Sequence, residues 1–259
     1  MFTEIPRGQL ASLVAELAGA WSAAGEGRRF EARGGTRRRA AGAGGRYRLV
    51  FVDRLVATLI HLRHDLPHAV LAVLFDVDRS TVTRGTGELR YLPAQRGFAV
   101  PDRPGLRLRT LEDVFAYAQA EGVELRLDAT EVQVRRPVAG RGGRWPFVSG
   151  KKKQNTMKAT VIADHRGRTL WFDTMRPGRD HPGQAVTPPR KPRPGALPGR
   201  VEQWERDRHW HSSDRITVEH ALADHKRWKQ LMRWTHRRDR LPDAYRAIAG
   251  LVSDRTNTA

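Results

Sequence analysis

Apolar residues recur at helical spacing in the first half of the chain and at alternating positions further on. Leu10, Leu13, Leu17 and Trp21, with Val14 beside them, predict a helix over 10–21. From 25 to 48 that pattern stops. Gly, Ala and Arg take over, with Arg37-Arg38-Arg39 and the run Gly42 to Gly45, which predicts a flexible basic linker. Leu55, Val56, Leu59, Ile60 and Leu62 predict a second helix over 52–64. Leu66-Pro67 breaks it, and Pro67 suits the first turn of a new helix. The next segment, 68–75, is short and apolar, and the turn Asp76-Val77-Asp78 follows it. Asp78, Ser80 and Thr81 then open another helix, with Val82 inward.

Helix, short turn, helix is the pattern of a helix-turn-helix, whose second helix enters the DNA major groove. Arg79, Ser80, Thr81, Thr83 and Arg84 are the candidate base readers. Gly85 and Gly87 each weaken that helix by about 1 kcal/mol relative to alanine. The plainer alternative is an αα-hairpin in a helical core. The polar face and short turn favour the helix-turn-helix.

The residues 93–104 read as a loop and 110–122 as a helix, capped by Thr110 and ended by Gly122. After Gly122 the period becomes two. "VELRLDATEVQVRRP" predicts a hairpin, or one long strand with a turn near Ala129-Thr130. Strands over 157–164 and 169–175 follow, joined by a turn at Gly167, which makes an antiparallel meander. Asp128 closes an apolar strand stretch, where a carboxylate can project from the sheet edge and hold a divalent metal. In "SSDRITVEHALADHKRW", Ser213 or Asp214 can cap a helix. Glu219 shares a face with Ile216 and Ala223, the apolar side by this reading. A buried carboxylate is costly unless paired or metal-bound, and an ion pair with Arg215 is the equal alternative.

Charge sharpens this picture. The 259 residues carry 47 Lys and Arg against 28 Asp and Glu, a net of +19. The stretch 131–200 alone holds 16 basic and 4 acidic side chains. That blocked excess favours a polyanionic partner over an evenly solvated face. Lys151, Lys152, Lys153 and Lys158 lie within it. With no cysteine, thiol catalysis, Cys-ligated zinc and iron–sulfur clusters are excluded. No apolar run approaches the roughly 20 residues of a membrane span. The first ten residues show no secretory signal, and nothing matches a P-loop, so a cytoplasmic, nucleoid-associated protein without nucleotide or membrane partners is expected. His61, His64 and His68, with a proline among them, read as surface histidines rather than a zinc site. Trp204, Trp210, Trp228 and Trp234 read as packing of the last helices rather than as DNA-stacking groups. RNA binding is the weaker option, because no aromatic RNP strand is visible.

Long ordered segments carry a family resemblance. They include "LVATLIHLRHDLPHAVLAVLFDVDRSTVTR", "RLDATEVQVRRP", "FVSGKKKQNTMKATVIAD", "RPGRDHPGQAV", "PPRKP", "ITVEHALADHKRWKQLMRWTHRRD" and "AIAGLVSDR". From about Leu49 to Arg255 the chain resembles bacterial insertion-sequence transposases of the D-D-E type, the IS-five family. The resemblance implies an α+β protein: an N-terminal helical helix-turn-helix domain, then an RNase H-like mixed-sheet domain. The expected divisions are an N-terminal helix with its basic linker (1–48), the helix-turn-helix (49–95), a connector with a helix (96–122) and the sheet domain (123–255). The first family Asp falls on Asp128 and the family Glu on Glu219, as ligands of two Mg²⁺ or Mn²⁺ ions for phosphoryl transfer on DNA. The implied partner is double-stranded DNA at the element's terminal inverted repeats, bound by a homo-oligomer, with Lys151–Lys153 and Lys158 positioning its backbone.

One part of the family pattern is missing. A strand bearing the second Asp belongs between "RPGR" and "PPRKP", yet Val186 runs straight into Thr187-Pro188-Pro189. The sheet domain is therefore expected to be truncated near 186–188 and incomplete, as by an in-frame deletion. Asp207 and Asp214 lie in polar helical sequence and do not replace the lost residue. The expected protein is a transposase with impaired strand cleavage, or at the limit a non-catalytic DNA-binding remnant.

Overall fold

A computed structural model describes residues 3–37, 47–136, 143–180 and 190–256, with side chains at 209–216 left aside. The fold is α+β, with helices first and a mixed sheet after them. Helix α1 (Arg7–Arg33) packs Leu13 and Leu17 inward. It outruns the apolar pattern by three turns, so Gly25 to Arg33 is helix rather than the expected linker. Glu26 explains the extension: Arg37 and Arg33 hydrogen-bond it and hold its carboxyl low, at about 2. Gly34 then ends the helix in the left-handed conformation, φ 68°. The expected glycine run at 42–45 lies outside the described residues.

Helices α2 (Phe51–His64), α3 (His68–Leu74) and α4 (Arg79–Leu89) follow the predicted pattern closely. The stretch expected as a loop, 93–104, instead holds the end of α5 (Tyr91–Gln95) and β1 (Phe98–Ala99), which pairs with β2 (Arg107–Leu108) just beyond it. Helix α6 (Leu111–Glu121) is capped by Thr110, whose hydroxyl accepts the Asp113 N–H at 3.1 Å.

Strand β3 (Leu125–Val134) is continuous, with no turn at Ala129-Thr130. It pairs antiparallel with β4 (Thr156–Asp164) over its whole length, which leaves no register for a turn there. Next to β4 lie β5 (Thr169–Phe172) and the short β6 (Arg176–Pro177). Helix α7 (Pro198–Lys226) begins far upstream of Ser213 and Asp214, so both lie within the helix and neither caps it. After α8 (Lys229–Met232), β7 (Arg233–Trp234) pairs parallel with Gln133 and Val134 of β3. Helix α9 (Leu241–Thr256) closes the chain, buried from Ala244 through Val252 except at Arg246.

Helices and sheet share one hydrophobic core. Leu55, Leu59, Leu62, Leu89 and Leu92 belong to the same cluster as Val132, Val161, Phe172, Trp234, Tyr245 and Ile248. A charged clasp lies alongside it. Arg96 donates to Glu16 at 2.6 Å and to Asp254 at 2.6 Å, joining α1, the α5–β1 connection and α9. Trp228 and Trp234 are buried packing residues, as expected. No described helix is long and apolar enough to cross a membrane.

Candidate nucleic-acid interface

The helix-turn-helix is built on its own small core of Leu49, Ile60, Leu71, Ala72 and Val82, flanked by Phe75 and Val77. Asp76 turns the chain between α3 and α4 with φ 49°. Asp78 occupies the N-cap position of α4, but its backbone carbonyl, not its side chain, receives the first helical N–H groups. Helix α4 lies close against α2 because position 85 lacks a side chain: a Cβ there would stand 3.2 Å from Arg54 Cγ. Arg54 is buried and donates to Glu88 at 2.5 Å and to the Leu49 carbonyl at 3.0 Å. A charged pair thus locks the two helices in register.

The outer face of α4 exposes Arg79, Ser80 and Arg84, while Thr81 is half-buried. Thr83 is exposed, yet its hydroxyl is turned onto the Arg79 carbonyl and His68 Nδ1, each at 2.9 Å. Beside α4 opens a cleft of about 440 Å³ that the sequence did not signal. Arg90, Arg135, Arg237 and Arg240 line it from three separate stretches of the chain. Four guanidinium groups converging on one cleft suit phosphate oxygens.

Lys151, Lys152 and Lys153 are exposed on the turn before β4. Ser149 shapes that turn: its hydroxyl accepts the Lys152 N–H at 3.0 Å, and its carbonyl the Lys153 N–H at 2.9 Å. Lys158 sits apart from the triplet. It faces Glu131 across β3 and β4, 3.9 Å away, and donates to the Asp180 carbonyl at 3.0 Å. Glu131 also receives the hydroxyls of Ser149 and Thr156, at 2.9 and 3.3 Å. This acidic anchor beneath the lysine turn is a second feature that alternation alone did not reveal.

Asp128 is the fourth residue of β3, in mid-strand rather than at its end. Its Oδ1 accepts the N–H of Ala129 at 2.7 Å. Val134 N–H points to β4, so by alternation the Ala129 N–H points to the opposite edge. Among the described residues that edge pairs only at Gln133 and Val134. Arg126, two residues before Asp128, donates to Thr217 Oγ1 of α7 at 2.6 Å. Glu219 lies two residues beyond Thr217, rotated about 200° around the helix. It is exposed, as is Ala223, and the buried face is Val218, Ala221, Leu222 and His225. The expectation that Glu219 faces the apolar side is therefore corrected: the inward stripe runs one residue earlier. Among the described residues, no cluster of three potential metal ligands includes Asp128 or Glu219.

The family described as "Helix-turn-helix of DDE superfamily endonuclease" matches residues 47–98. That match spans α2 through α5 and ends at β1. No curated protein and no solved structure matches the chain. The α+β protein thus carries a DNA-binding helix-turn-helix of the kind found in DDE superfamily endonucleases.

Proposed function

We propose that the protein is an insertion-sequence transposase of the IS-five type that binds double-stranded DNA at element ends and is impaired in strand cleavage. The observation that carries the binding half is the match over 47–98 together with the exposed Arg79, Ser80 and Arg84 on α4. The Arg-lined cleft and the Lys151–Lys153 turn give the phosphate contacts that supply most affinity.

The impairment rests on the carboxylates. An RNase H-like site of this type needs three, arranged around two hard cations such as Mg²⁺ or Mn²⁺. Asp128 is engaged by the Ala129 N–H, Glu219 faces outward, and no third carboxylate joins them among the described residues. The strand that would bring it belongs beside β3, on the edge left open from Leu125 to Val132. The expected break at 186–188 lies outside the described residues. The described residues do not fit a two-metal site.

The test is a supercoiled plasmid carrying presumed element ends, incubated with the protein and Mg²⁺ or Mn²⁺, with binding followed in parallel. Binding without metal-dependent nicking is the expected result, the limit of impairment at which only the DNA-binding remnant is left. Metal-dependent nicking abolished by both Asp128→Ala and Glu219→Ala would refute the impairment.

A further inference from the structure

Behind the helix-turn-helix, the end of α2 meets α8 and the segment after β7. His61 is 2% exposed there. Its Nδ1 lies 2.9 Å from the Leu66 carbonyl. A carbonyl only accepts, so Nδ1 carries the ring proton and Nε2 presents a bare lone pair. That Nε2 is buried and has no hydrogen-bond partner. An acceptor left so is costly unless something fills its lone pair. Two further groups come close to it. The candidate ligand atoms of His61, Asp65 and His236 all lie within 4.8 Å of one another. Asp65 holds φ 52° at the end of α2, and its Oδ1 stands 3.4 Å from His236 Nε2 and 3.2 Å from Gln230 Nε2.

We propose that His61 Nε2, Asp65 and His236 form a binding site for a zinc-class divalent cation that clasps the helix-turn-helix to the sheet. Metal-bound histidines commonly donate their other ring N–H to a carbonyl or carboxylate, which is the arrangement of His61 and Leu66. Two imidazoles and one carboxylate suit Zn²⁺ or Co²⁺ and disfavour Mg²⁺, which prefers oxygen and water. Bonds of about 2.0–2.1 Å draw the ligands closer than they stand now. His236 is half-exposed and lines the open cleft beside α4. A water completes the coordination, because His68, its ring 4.7 Å from that of His61, is engaged with Thr83.

The surroundings keep the ligands ready. Burial first, and the charge of Arg90 with it, hold His61 and His236 below the ordinary histidine value. Arg90 also raises the cost of a dication, and the Asp65 carboxylate offsets that charge. The clasp joins two parts of the fold: His61 and Asp65 belong to α2 and its cap, whereas His236 follows the strand paired with β3. The site is separate from Asp128 and Glu219 and does not depend on the transposase reading.

The full chain, purified without a histidine tag and stripped with chelator, is titrated with Co²⁺ and Zn²⁺ and followed by visible absorption and thermal melting. One Co²⁺ per chain with the intense bands of tetrahedral coordination is expected, displaced by Zn²⁺ but not Mg²⁺, with a raised melting midpoint. His236→Asn should lose the bands and weaken binding about 10-fold or more, with an unchanged metal-free midpoint. Asp65→Asn, which keeps the side-chain shape, should do the same, and His165→Asn should not. Absence of the bands, or their survival in both His236→Asn and Asp65→Asn, would overturn the proposal.

Discussion

His225 and Tyr245 are joined in the interior, the imidazole Nδ1 3.0 Å from the phenol oxygen. The other ring nitrogen lies 3.0 Å from Thr169 Oγ1. Neither His225 nor Tyr245 has any exposed surface. The pair ties α7 to α9 and to the sheet, so Tyr245→Phe strands a buried nitrogen and should cost about 1–3 kcal/mol. Urea unfolding of the variant against the parent measures it.

The same histidine sets a pH dependence. Burial lowers the His225 pKa from 6.5 to about 4. The unfolded chain therefore takes up a proton that the folded chain refuses. Its contribution to stability is complete above 6.5 and drains away as pH falls toward about 4, at up to about 1.4 kcal/mol per pH unit. Unfolding free energies at pH 7 and 5 should differ less in His225→Gln than in the parent. An equal difference in both chains would remove His225 as the cause.

Arg54 and Glu88 should act as a unit. Arg54 is almost fully enclosed, so Arg54→Ala leaves the partly buried Glu88 with only Arg28, 3.6 Å away, and the Trp21 indole N–H at 3.4 Å, and should cost about 3 kcal/mol. Glu88→Ala should be comparable, and the double variant much less than the sum. Additive losses would show that the two charges do not stabilise each other.

The two glycines of α4 should behave oppositely. A Cβ at Gly87 meets nothing within 4 Å, so Gly87→Ala should stabilise by about 0.5–1 kcal/mol. At Gly85 the added methyl presses on Arg54, so Gly85→Ala should gain less or destabilise. Thermal midpoints of the two variants decide.

DNA contacts should separate by type. Arg79→Ala and Arg84→Ala should each cost about 1–3 kcal/mol on a preferred site and relax its sequence preference. Arg240→Ala and Lys152→Ala should weaken all sequences alike and lower the salt slope by about 1 each. Binding isotherms on two sequences at several salt concentrations make the distinction.

The helix-turn-helix was legible because each of its helices covers a small core with its own residues, and helical spacing records exactly that local demand at Leu71, Ala72 and Val82. Helix α1 outran its apolar pattern because its last turns rest on ion pairs to Glu26, which periodicity does not register. The outward turn of Glu219 was misread for a related reason: Ile216 and Ala223 suggested one stripe, while the sheet selected Val218, Leu222 and His225. Position 61 was misassigned to the surface because the groups that bury it, Leu66 and His236, lie in different parts of the chain. The cleft arginines were invisible for the same reason, since Arg90, Arg135 and Arg240 meet only through the tertiary fold.

The shared core has a consequence for how such a chain ages under mutation. Leu55, Leu59 and Leu89 lean on the same interior as Val132, Tyr245 and Ile248. The DNA-reading helices are thus not a detachable head: removing the sheet strips the floor from under them. Loss of Asp128 or Glu219 leaves that interior untouched, whereas loss of a buried residue such as Ile248 reaches the helix-turn-helix. A lineage of this protein that kept only its grip on DNA would still preserve the sheet's interior, while Asp128 and Glu219 drifted.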